Sequence, residues 1–113
     1  MTNKANSGKY QSSPLGAGGI RVGIIGGAGY TGGELIRLLI HHPDVSVSFI
    51  HSRSNAGKPV YSIHQDLLGD TELVFTDDMK ALTDGSIDVL FLCLGHGESK
   101  KFLSANKISD NIK

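Results

Sequence analysis

The stretch IRVGIIGGAGYTGGELIRLL, residues 20–39, decides the fold. Its first six residues, Ile20 to Ile25, form an apolar, β-branched run that suits a buried strand. A glycine-rich turn follows. Beyond it, ELIRLLIHH (residues 34–42) repeats Leu35, Ile36, Leu38, Leu39 and Ile40 at helical spacing. Pro43 stops that helix, because its ring cannot continue the hydrogen-bond ladder.

Working outward, VSVSFIH (residues 45–51) alternates apolar and polar residues in its first half and reads as a second strand. Residues 52–69 hold Gly, Pro, Ser and Asn and read as a long irregular loop, with one helical turn near residues 64–68. ELVFT (residues 72–76) is expected as a third strand, and Asp77 as the cap of a short helix running to Thr83 and closed by Gly85. IDVLFLCL (residues 87–94) is the most apolar run and is expected to be a central strand, followed by a helix over residues 98–106. Strands alternating with helices imply βαβ units with parallel pairing. The expected fold is α/β: a Rossmann-type parallel sheet over residues 20–113 with helices on both faces. Residues 1–19 are polar and glycine-rich, with too little apolar surface to offset ordering, and are expected to be a disordered tail. After the last helix the rhythm calls for another strand, so the chain is expected to be a truncated piece of a longer protein.

At 113 residues the chain suits one domain, with an apolar fraction of 39% and a charged fraction of 19%. Eleven basic residues balance eleven acidic ones, which speaks against a nucleic-acid or anionic-membrane partner. No apolar run approaches a bilayer span, and the N-terminus lacks a signal-peptide layout. A lone cysteine, Cys93, cannot form an internal disulfide and fits a reducing cytoplasm.

The turn Gly26, Gly27, Ala28, Gly29, Tyr30, Thr31, Gly32 carries glycines three apart, placed between strand and helix as a dinucleotide fingerprint requires. Gly26 lets the chain turn off the strand, Gly29 lets a pyrophosphate approach the backbone, and Gly32 lets the helix pack on the sheet. The helix N-terminus offers free N–H groups to the phosphates. At the end of the second strand, where NAD-specific domains place a carboxylate, stand Ser52, Arg53 and Ser54. They suit a 2′-phosphate, so NADP is the expected cofactor. Leu94, Gly95, His96 and Gly97 follow the last strand, where ligands border an open α/β sheet. The competing readings are a bare flexible turn, a solvated loop arginine and a loop-capping histidine. Cys93 reads as structural rather than nucleophilic, and His41 and His42, adjacent on a helix, point apart and make no metal site. No catalytic or metal residue is assigned within the chain, and His64 is left unassigned.

The run from Gly23 to Leu39, with His42-Pro43, the loop Ser52-Arg53-Ser54-Asn55-Ala56-Gly57-Lys58-Pro59 and Phe91-Leu92-Cys93-Leu94-Gly95-His96-Gly97, resembles the N-acetyl-γ-glutamyl-phosphate reductases. That resemblance covers nearly everything from Ile20 onward. It implies reductive dephosphorylation of a small acyl phosphate, N-acetyl-γ-glutamyl phosphate, to the semialdehyde by NADPH in arginine biosynthesis. The cysteine nucleophile and the acid–base histidine it implies belong to a later domain, and the whole enzyme is expected to be a cytoplasmic homo-oligomer. Gly95 departs from the proline common in that family. Rival expectations are an aspartate-semialdehyde dehydrogenase-like domain, against which Tyr30-Thr31 speaks, and a non-catalytic nucleotide sensor.

Overall fold

A computed structural model describes residues 19–95 and 97–113. The expected tail (except Gly19) and His96 therefore lie outside the described residues. Three parallel strands form the sheet in the order β2-β1-β3: β1 is Ile20–Ile25, β2 Val45–His51 and β3 Val89–Leu92. Helix α1, Tyr30–Leu39, joins β1 to β2, and α2, Glu98–Ala105, follows β3.

The period of two along β1 feeds two cores. Val22 and Ile24 point to one face, where they pack with Ile36 of α1, Ile50, Val60, Leu67 and Phe75. Ile25 points to the other, with Phe49, Leu82 and Ile87, against which Phe102 of α2 and Ile108 rest. Helices thus cover both faces, as expected of the α/β class. In β2 the register slips by one residue: Val22 pairs with Val47, but Gly23 pairs with Phe49. Ser48 is the extra residue of this bulge, and it resets the phase, so Val45 and Val47 face the first core while Phe49 faces the second.

Several expectations are corrected. Helix α1 begins at Tyr30 rather than residue 34 and ends at Leu39, because Gly32 and Gly33 are buried helical residues despite their poor propensity. Packing overrides propensity there. The expected third strand, residues 72–76, makes only isolated bridges, His51 with Thr76 and Pro59 with Val74. Its donors are divided between two neighbours, Phe75 N bonding Lys58 O (2.9 Å) and Thr76 N bonding Ile50 O (3.0 Å), so no single ladder forms. The helix expected over residues 77–83 is a single 3₁₀ turn, Lys80–Leu82, and Asp78 rather than Asp77 accepts from the Lys80 amide, at 2.9 Å. Two further 3₁₀ turns, Val60–Ser62 and Gln65–Leu67, break the long loop. Among the described strands the run at residues 87–94 does not hold the middle place: β1 is flanked by β2 and β3, and β3 lies to one side of it. Along its outer edge β3 meets Lys113, through Leu90 N to Lys113 O at 3.0 Å and Lys113 N to Asp88 O at 3.0 Å.

Candidate functional site

The strands' carboxyl ends place three loops side by side. The β1–α1 turn is latched to the end of β2, because the amides of Gly26 and Gly27 both donate to His51 O, at 3.1 and 3.0 Å. Gly26 has a left-handed φ of 84°, and a Cβ there would lie 2.5 Å from Cys93 O, so the same residue also pins the turn to the end of β3. Gly32 brings α1 down onto the turn: its missing Cβ would stand 2.5 Å from Gly26 O. With Gly26 and Gly27 committed to His51, the remaining donors are the amides of Ala28, Tyr30, Thr31 and Gly32. None of these has a backbone partner among the described residues. The first turn of α1 carries no acidic side chain, which leaves its positive end unneutralised.

Gly29 differs from its neighbours. Its backbone is ordinary and extended (φ −80°, ψ 176°), and an added Cβ would find nothing closer than Gly26 O at 3.9 Å. Among the described residues, neither strain nor packing requires glycine there. It lines an open cleft of about 950 Å³ that also receives Gly26, Ala28, Ser52, Arg53, Ser54, Leu94 and Gly95. Eight of the fourteen expected cofactor residues therefore meet around one space. Gly27 and Gly32 lie buried beneath the turn, Tyr30 is 83% exposed at the helix start, and Thr31 is exposed beside it. Gly97, with a left-handed φ of 82°, lines a separate shallow depression with Lys100 and Ser104. His96 lies outside the described residues.

The cleft also takes in residues outside the expected cofactor set. Asp77 and Met79 arrive from the loop after Thr76, and Glu98, Lys101, Phe102 and Asn106 from α2 and its C-terminal cap. Asp77 brings a carboxylate to the cleft that the Ser52–Ser54 loop also lines, and it makes no salt bridge with Arg53 among the described residues. Ser52 is largely buried: its amide bonds Thr76 O at 3.0 Å, and its Oγ accepts from Asn55 Nδ2 at 3.3 Å while keeping its own proton to donate. Arg53 and Ser54 are exposed. Burial, and then the Arg53 charge, hold the His51 imidazole below its ordinary pKa against a smaller opposing pull from Asp77, so it is neutral at pH 7.

Cys93 lines the cleft just past β3, half-buried, and burial pushes its thiol up, which keeps it protonated at neutral pH. Among the described residues no group of three or more His, Cys, Asp or Glu side chains is arranged to hold a metal. His41 faces Asp70 at 3.9 Å, whereas His42 accepts the Asp44 amide through Nδ1 at 3.1 Å. No helix among the described residues is long and apolar enough to cross a membrane.

Residues 21–110 match the family model described as semialdehyde dehydrogenase, NAD binding domain. The chain is similar to the N-acetyl-gamma-glutamyl-phosphate reductase of Christiangramia forsetii, 60% identical over 94 residues, covering 83% of this chain and 28% of that protein. The reductase of Phocaeicola vulgatus is 53% identical over the same shares. The chain thus spans 28% of the length of these curated relatives. A crystal structure of Candida albicans aspartate semialdehyde dehydrogenase with NADP shares the fold, with a TM-score of 0.54 and 22% identity over 68% of this chain and 24% of that one.

Proposed function

The chain belongs to the semialdehyde dehydrogenase NAD-binding domain family, and from that premise we propose that it is the NADP-holding part of an N-acetyl-γ-glutamyl-phosphate reductase. The observation that carries this reading is Gly29, a glycine the protein's own packing does not need, open toward the cleft where a diphosphate would rest. The free amides of Ala28, Tyr30, Thr31 and Gly32 would hold the diphosphate, with Gly26 and Gly27 shaping the turn. Arg53, Ser52 and Ser54 would hold the 2′-phosphate. Leu94, Gly95, His96 and Gly97 would border the nicotinamide side. Held by these residues, NADPH would supply the hydride for reducing the acyl group of a small acyl phosphate, with inorganic phosphate leaving. The chain's own part is to bind and orient. Cys93, kept protonated, is not its nucleophile.

The domain is taken to run over residues 20–113, in a cytoplasmic, homo-oligomeric enzyme that engages neither nucleic acid nor membrane. Calorimetric titration of this chain with NADP and NAD tests the reading. NADP should bind at least about tenfold more tightly, the difference expected of a charge-assisted phosphate contact. Equal affinities would remove the 2′-phosphate assignment. Turnover of the acyl phosphate by the chain alone would remove its purely binding role.

A further inference from the structure

The loop between β2 and residue 76 sends one side chain beneath the glycine turn. His64 is buried, and its Nε2 lies 2.7 Å from the carbonyl oxygen of Gly27. A carbonyl can only accept, so Nε2 carries the proton in this contact. The ring fills the space that a Cβ on Gly33 would take, with Cε1 2.6 Å and Nδ1 2.7 Å from that point. It also meets the Phe75 ring edge-on at 6.3 Å. Its backbone is equally fixed: His64 N donates to Val60 O at 3.0 Å, and Leu67 N donates to His64 O at 2.9 Å. Two residues on, Asp66 receives Arg37 of α1 in a two-pronged pair, at 2.5 and 2.8 Å. The loop is clamped to helix and turn together.

We propose that His64 is a positioning residue for the coenzyme's diphosphate, setting the direction of the Ala28 amide through the Gly27 carbonyl. This rests on the coenzyme reading above. In a trans peptide the C=O and the following N–H point to opposite sides. With Gly27 O turned down to His64, the Ala28 N–H turns the other way, and Ala28 lines the cleft. That amide has no hydrogen-bond partner among the described residues. Gly27, which precedes this peptide, has no Cβ to restrict its ψ, so the donor from His64 is what holds the peptide's direction. An anion accepting from Ala28 N–H polarises the same peptide and strengthens the bond from His64, so occupancy and brace reinforce each other.

The test is NADP titration of the wild-type chain, His64→Phe and His64→Gln, with thermal melting of each without coenzyme. Phe keeps ring bulk and lacks the donor; Gln restores a donor. His64→Phe should bind about tenfold more weakly, and Gln should recover most of that loss. Affinity should follow the donor and not the melting temperature. In the wild type, the His64 Nε2–H and Ala28 amide resonances should both move on saturation with NADP, a readout that needs no variant to fold. A folded His64→Phe that binds like wild type, a Gln variant no better than Phe, or two unmoved resonances would each overturn the proposal. Wild type that takes up no NADP would overturn the coenzyme reading with it, whereas binding wild type with an indifferent Phe variant overturns this inference alone.

Discussion

The crossover after β1 and the crossover after β3 both pass from strand through glycines to helix, yet they are built in opposite ways. In the first, the missing side chains of Gly26 and Gly32 are filled by backbone 2.5 Å away, and α1 buries Ile36 completely. In the second, a Cβ on Gly95 would meet only Glu98 Cγ at 3.9 Å, one on Gly97 would meet nothing within 4 Å, and α2 has no buried residue. Glycine therefore reports different needs in the two places: close approach in the first, and at Gly97 a left-handed backbone. Among the glycines of the tight crossover only Gly29 has room for a Cβ, so it is the one glycine there that the described packing does not account for.

The contrast can be broken most forcefully in the helices. Ile36→Ala in α1 should cost about 2–5 kcal/mol of unfolding free energy, while Leu103→Ala on exposed α2 should stay within about 0.5 kcal/mol. Denaturant midpoints at constant slope decide it, and equal losses would mean that both helices are packed alike. Next come the glycines: Gly32→Ala should lose about 1–3 kcal/mol, because backbone on both sides must give way, whereas Gly95→Ala should be nearly neutral.

A third comparison moves to the loop after β2. Arg53→Ala should weaken NADP by about tenfold or somewhat more and leave NAD unchanged, with an unaltered melting temperature. The smallest effect concerns the opposite end of the same sheet, where Arg21 at the start of β1 donates to Asp88 ahead of β3 at 2.9 and 3.1 Å. That pair holds the Asp88 carboxyl at about 2, below its ordinary 3.8. The folded value is the lower one, so the contribution is present above about pH 4 and is lost as pH falls toward 2. Asp88→Asn should flatten the fall of the melting temperature between pH 4 and 2 while leaving NADP affinity unchanged, as its distance from the cleft demands.

What the residues disclosed in advance was whatever local chemistry controls. The limits of β1 and β2 followed from their apolar, β-branched pattern, and the glycine turn sat where strand meets helix. The start of α1 did not follow, because Tyr30 to Gly33 are poor helix formers held by contacts with Gly26, Gly27 and His64. Residues 72–76 look like a strand by composition, yet their partners are split between β2 and the residues around Lys58. The run at residues 87–94 signals burial, which says nothing about lateral neighbours in a sheet. At the site, Ser52 to Ser54 were readable from their place after β2. Asp77 and Lys101 reach the cleft only through tertiary packing. His64 was unreadable because its partner is a backbone carbonyl 37 residues away, which no side-chain motif can announce.

The most direct test is Gly29→Ala, followed by thermal melting and by NADP calorimetry on the same sample. The added methyl has room in the fold, so melting should match wild type, while NADP affinity should fall by about a hundredfold as the diphosphate loses its approach to the backbone. A variant that melts like wild type and binds NADP just as tightly would contradict the account, because the diphosphate would then rest elsewhere.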